Sequence, residues 1–340
     1  MIVGVTDDTA KWVNKQDAIV AIHKDLRLMA VRVTLSWHPG QTKPRGVQKI
    51  YVKRIARMLR LNDRVILSVY NTARFAPVTG RAQVQYCGFL RAINRTLPLL
   101  QDFQIWNEAN SPTYWPQELG SAASYERLLA LCWDVLHRYP GRMNVISSTA
   151  PHHDPASFIV ELGDAYKASG RDLPIFDTFG HNPYPENAAE PPSTVHTETD
   201  TIAEGDYDRL MHALDIAFAD SGQPVPGTKW VGVWYLETGF QTTPPRAKRR
   251  FYRGRENDPF ALAPIDQATQ LRAAVQLAYC QPAVTGFFNF ELIDEDRLSG
   301  WQSGVLWRDR SRKPSYDALK DLVAHVRQRD VDCSKVEGAP

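Results

Sequence analysis

Two short segments of this sequence carry residue types suited to paired carboxylate chemistry: Ile105-Trp106-Asn107-Glu108-Ala109-Asn110 and Trp234-Tyr235-Leu236-Glu237-Thr238-Gly239. Each places a glutamate where an apolar, strand-like run gives way to a polar loop. Two carboxylates facing one another across a sugar can cleave a glycosidic bond, one protonating the leaving oxygen while the other attacks or activates water. Either glutamate alone would read as a solvated loop residue. Their shared placement at two strand ends makes the pair a candidate for general acid/base and nucleophilic work.

The elements that must position such a pair are legible as a rhythm. Short β-branched or aromatic runs occur at residues 1–5, 30–35, 64–70, 103–106, 144–148, 176–179, 230–236 and 284–290. Amphipathic helical stretches follow them, near 16–28, 47–61, 84–97, 120–138, 156–168, 205–220, 265–279 and 315–327. Strict alternation predicts an α/β fold with a parallel sheet covered by helices, and eight units favour a closed (β/α)8 TIM barrel over an open sheet. Thr6-Asp7-Asp8 follows the first strand in place of a GxGxxG turn, which argues against dinucleotide binding. We expect one barrel domain over 1–328 and a loose polar tail over 329–340. The loops after strands six, seven and eight are long (182–204, 238–264 and 292–314) and are expected to wall the mouth of the barrel, where side chains that do chemistry sit.

On these residues the chain resembles the retaining (β/α)8 glycoside hydrolases of clan A, with members like family 39 or family 5 nearest in pattern. The likeness rests on Asn107-Glu108 after strand four and Glu237 ending strand seven. Arg32 on strand two, His181-Asn182-Pro183-Tyr184 ending strand six, and the stretch from Leu292 through Trp301 to Lys313-Pro314-Ser315-Tyr316 support it. Asn289-Phe290 departs from the pattern, standing where a tryptophan is frequent. The resemblance implies a retaining glycosidase acting by double displacement on an equatorial leaving group, as in a β-D-glycoside or its α-L counterpart. It implies Glu108 as acid/base, Glu237 as nucleophile, Arg32 and Tyr184 as contacts of the nucleophile, and His181 in the site lining. Asn107 would bind the sugar 2-hydroxyl. A transglycosylase using the same residues, or a carbohydrate-binding barrel without catalysis, are the alternatives. For Arg32 the competing reading is an ion pair inside the barrel, and for Tyr184 an aromatic at the rim.

Other candidates rest on type and position. Asn71 after strand three and His152-His153 after strand five could meet sugar hydroxyls or serve loop packing. Trp37, Trp115 and Trp301 could be flat platforms beneath sugar rings or core residues. No metal site or cofactor is expected, since no motif places a third ligand beside the histidine pair. Cys87, Cys132, Cys280 and Cys333 form no CxxC motif. Cys132 lies in an apolar helical run and Cys280 ends another, so both are expected as packed thiols, while Cys87 could meet Cys132 if their helices are neighbours. With 40 basic and 38 acidic side chains the formal charge is +2, which makes nucleic acid an unexpected partner. No apolar run is long enough to span a bilayer, and the first residues lack the pattern of a signal peptide. The basic run from Arg246 to Arg255 reads either as a solvated loop or, if it overhangs the site, as a preference for an acidic or sulfated sugar.

Overall fold

The computed structural model describes residues 1–340 except Lys15, Asn62, Leu119, Tyr139, Pro140, Lys229, Trp230 and Asn257. In chain order the elements are β1 (Ile2–Thr6), α1 (Thr9–Trp12), α2 (Gln16–Asp25), β2 (Ala30–Ser36), α3 (Val47–Arg60), β3 (Val65–Tyr70) and α4 (Gly80–Thr96). There follow β4 (Asp102–Ile105), α5 (Ser121–His137), β5 (Asn144–Ile146), α6 (Pro155–Ala168), β6 (Thr178–His181), α7 (Tyr207–Phe218), β7 (Gly232–Thr238), α8 (Pro264–Cys280), β8 (Val284–Phe290) and α9 (Pro314–Gln328). The strands close in sequence order into one parallel barrel, β8 pairing with β1. The expected (β/α)8 architecture is what the chain adopts, with α1 as an extra turn after the first strand. Trp230, placed by the sequence reading at the start of the seventh strand, lies outside the described residues. Among the described residues no helix is long and apolar enough to cross a membrane.

Local chemistry accounts for the elements. The strands are β-branched and buried on both faces, as in Val65–Tyr70, because helices cover the outside and side chains fill the inside. On α3 the apolar stripe Val52, Ile55, Met58 turns to the barrel while Lys53 and Arg57 turn away. Helix starts are marked: the Thr79 side chain accepts from Ala82 N, Asp154 accepts from Ser157 N ahead of Pro155, and Pro264 and Pro314 open α8 and α9.

Period-two alternation sorts the barrel interior into layers. Ala30, Ile66, Ile146, Leu236 and Phe288 form an apolar layer. One step along β2, β3 and β4 come Arg32, Ser68 and Gln104, a buried polar layer directly beneath the mouth. Gly180 on β6 has no alternative residue, since a Cβ there would lie 2.1 Å from the Ser147 carbonyl oxygen and 2.5 Å from Leu236.

Two disulfides correct the reading of Cys132 and Cys280 as free thiols. Cys87–Cys132 staples α4 to α5, neighbouring helices whose packing brings the pair together, and Cys280–Cys333 ties the end of α8 to the C-terminal segment. The tail is therefore held rather than loose: Val331 packs on the core and a 3-10 turn spans Cys333–Lys335.

Candidate active site

Glu108 sits on a bent exit from β4. Trp106 and Glu108 both take left-handed backbone angles (φ 63° and 41°), conformations that cost non-glycine residues energy and persist only where the surroundings enforce them. The enforcement comes from helix tyrosines. The Tyr86 hydroxyl donates to Val69 O and accepts from Trp106 N, and the Tyr125 hydroxyl donates to Ile105 O and accepts from Ser148 N. Ser148 Oγ then accepts from Glu108 N at 3.1 Å, and Trp106 Nε1 donates to Tyr114 O at 2.6 Å. The Glu108 carboxylate receives a hydrogen bond from Asn182 Nδ2 at 2.7 Å. Burial and then the charge of Glu237 push its pKa up from 4.5 to about 7, against the smaller opposing effects of Asn182 and Arg32.

Glu237 reaches the same cavity through a break in strand pairing. Leu236 points into the barrel, so strict alternation would turn Glu237 outward. The register between β7 and β8 shifts between Tyr235 and Thr238, and this irregularity re-aims the carboxylate at the mouth. Arg32 meets it from the polar layer, Nη1 to Oε1 at 2.6 Å, with the guanidinium fully buried. The remaining Arg32 donors engage Gln104 Oε1 (2.5 Å), Ser68 Oγ (3.2 Å) and Asn107 Oδ1 (3.1 Å). The Tyr184 hydroxyl lies 3.4 Å from Glu237 Oε2. Glu108 and Glu237 thus line one open cavity of about 750 Å³ at the carboxyl end of the barrel.

The other expected site residues divide. Tyr184 and Trp301 line the cavity side by side, ring centroids 5.2 Å apart, with Phe290 edge-on to Trp301. His152 also lines it, its Nδ1 3.2 Å from Thr201 Oγ1. Arg32 and Asn107 stand behind the wall, holding Glu237 and one another. Four candidates are elsewhere. Trp37 is wholly buried in an edge-to-face aromatic run with Tyr86 and Trp106, the run that Trp115 continues, so neither indole is a platform. Asn71 braces its loop, donating to Trp37 O and accepting from Thr72 N. His181 spends both ring nitrogens inside the fold, Nε2 on Ile202 O and Nδ1 on the Thr149 hydroxyl. Burial pushes its pKa down to about 4, so it is a neutral brace rather than a lining residue. Trp234 lies on a separate hollow at the amino ends of the strands beside Arg64.

The basic run does not overhang the cavity. Lys248 pairs with Asp309, Arg253 pairs with Asp296, and none of the Arg or Lys residues of 246–255 is on the cavity wall. Residues that sequence reasoning gave no role complete the site: Asn182 on Glu108, Gln104 on Arg32, and Tyr70 in the wall, its ring edge to face with that of Tyr114 at 5.5 Å. For Asn182 the only signal was its place between His181 and Tyr184.

No family model and no curated protein matches the sequence. Among solved structures the chain is similar to a family 39 glycoside hydrolase from the gut symbiont Bacteroides cellulosilyticus WH2, with TM-score 0.66 and 17% identity over 95% of this chain and 63% of that one. A fungal β-1,4-galactanase structure gives TM-score 0.62 and 14% identity over 94% and 99%. A β-glucuronidase from Ruminococcus gnavus, solved with D-glucuronic acid, gives 0.57 and 12% over 95% and 49%. The chain therefore spans less than two thirds of the first of these and about half of the third. At such identities the likeness establishes the barrel fold.

Proposed function

We propose that this chain is a retaining glycosidase acting by double displacement, with Glu108 as acid/base and Glu237 as nucleophile. The observation that carries the reading is the contrast between two carboxylates sharing one cavity. Burial and its neighbour's charge keep Glu108 protonated near neutrality, while Glu237 is paired with a fully buried guanidinium 2.6 Å away. Unlike environments around two carboxylates in one cavity divide the acid and nucleophile roles between them.

In the first step Glu108 gives its proton to the glycosidic oxygen as the carbon–oxygen bond breaks, and Glu237 bonds to the anomeric carbon. In the second, Glu108, now a carboxylate, takes a proton from water as that water displaces Glu237. Both steps pass through an oxocarbenium-like state. Asn107, behind the wall, has its Oδ1 fixed by Arg32 and Gln104, so its part here is to steady the guanidinium that meets Glu237. Trp301 and Tyr184 offer aromatic faces to a pyranose. Glycosidase names among the structural neighbours support the same reaction class.

Charge on the wall favours a neutral sugar. Glu108, Glu186, Glu237 and Asp258 line the cavity, and no Lys or Arg does so among the described residues. A uronate would meet carboxylates without a cation. The test is a panel of aryl β-D-glycosides and α-L counterparts, with first-formed product followed by NMR and a 2-deoxy-2-fluoro glycoside as trap. Retention of configuration and a label on Glu237 are expected. Inversion, a label elsewhere, or turnover by Glu237→Gln equal to wild type would overturn the proposal.

A further inference from the structure

We propose that Glu186, Glu190 and His196, on the loop after β6, form a divalent-cation site suited to zinc, separate from the two catalytic candidates. One donor atom from each lies within 4.8 Å of the others. His196 is buried and its ring is fixed: Nδ1 lies 2.7 Å from Asp206 Oδ2, while Asp206 Oδ1 accepts from the His196 backbone N. That leaves Nε2 aimed at the glutamates. Nε2 and Glu190 Oε1 are 2.8 Å apart, an ion-pair distance when the ring carries a second proton, and neither atom has any other partner. With one ring proton already on the Asp206 side, two buried, adjacent ligand atoms that meet nothing but each other are what a cation would satisfy. Glu186, the third donor, is steadied by the hydroxyls of Thr199 (3.4 Å) and Thr201 (3.3 Å).

An imidazole whose far nitrogen is held by a carboxylate, beside a Glu186 carboxylate that is itself hydrogen-bonded, is the outer arrangement that orients zinc ligands. One nitrogen and two oxygens leave a fourth tetrahedral position for water. Glu186 also lines the substrate cavity, so the cation would lock this stretch of wall to Asp206 at the foot of α7.

Chelator-treated full-length protein is dialysed against zinc chloride, and bound metal is measured by mass spectrometry. About one equivalent is expected, with a visible ligand-field band when cobalt(II) replaces zinc, and a higher melting temperature in zinc. His196→Asn should weaken zinc binding by at least the about 10–100-fold that loss of a ligand's outer support costs. Glu186→Gln, at an exposed position, should weaken it as well and keeps the test sound if the buried variant fails to fold. An imidazolium clamped between Asp206 and Glu190 would bind no cation. Zinc content well below one equivalent, or uptake unchanged in Glu186→Gln, would overturn the proposal.

Discussion

Replacing Glu108 by Gln should abolish a pH dependence of folding that the wild-type chain carries between about pH 4.5 and 7. A carboxyl whose folded pKa lies above its unfolded value adds stability at low pH and loses it as pH rises through the folded pKa. For Glu108 the rise is from 4.5 to about 7, driven first by burial and then by Glu237. At about 1.4 kcal/mol per unit this amounts to about 3 kcal/mol, and nearer 2 kcal/mol once solvent at the cavity mouth screens a side chain that is partly exposed. Urea unfolding of wild type and Glu108→Gln at pH 4 and pH 8.5 reads the effect directly. The wild type should lose about 2–3 kcal/mol relative to the variant between the two pH values. The same proton should set the alkaline limb of wild-type kcat/KM near pH 7, where free-enzyme ionisations are reported. A stability difference constant across this range, with an alkaline limb well above pH 8, would refute the reasoning.

Asn182→Ala removes a hydrogen bond that favours the Glu108 carboxylate, so the alkaline limb should move up; Glu237→Gln removes a like charge, so the Glu108 resonance in a carbon-13 titration should move to a lower pKa. Arg249→Ala with Arg250→Ala should leave the ratio of activities on neutral and uronic-acid glycosides unchanged, because neither side chain is on the cavity wall. Cys87→Ser with Cys132→Ser releases a cross-link across 45 residues and should lower stability by up to about 4 kcal/mol, measured by thermal unfolding with wild type under reductant as reference.

The barrel was legible because burial on both faces demands β-branched runs and covering helices demand a 3.6-residue stripe. Those are one-dimensional patterns. The glutamates were legible as types at strand ends, but what orients them was not: Glu237 faces inward through a register shift between β7 and β8, and Glu108 through a bend pinned by Tyr86 and Tyr125 from two helices. Trp37 and Trp301 stand in similar sequence settings, and only packing separates them, since an indole serves a core or a sugar equally well. His181 failed as a lining residue for a related reason: a histidine at a strand end is reactive only if its nitrogens are free, and Thr149 and Ile202 take both. The Arg246–Arg255 run misled because charge along a chain says nothing about which acids, here Asp296 and Asp309, lie opposite it.

The apolar layer of Ala30, Ile66, Ile146, Leu236 and Phe288 makes the barrel a blind well. Protons do not cross such a layer readily, so Glu108 exchanges with bulk solvent through the opening at the carboxyl end, which under the proposed function also admits the saccharide. While a sugar fills that opening, the proton delivered in the first step has no outside replacement, and the one recovered from water in the second restores it. Under the proposed mechanism the well therefore keeps the proton count of each turnover closed, and a substrate long enough to stopper the mouth would isolate Glu108 from the surrounding pH until product leaves.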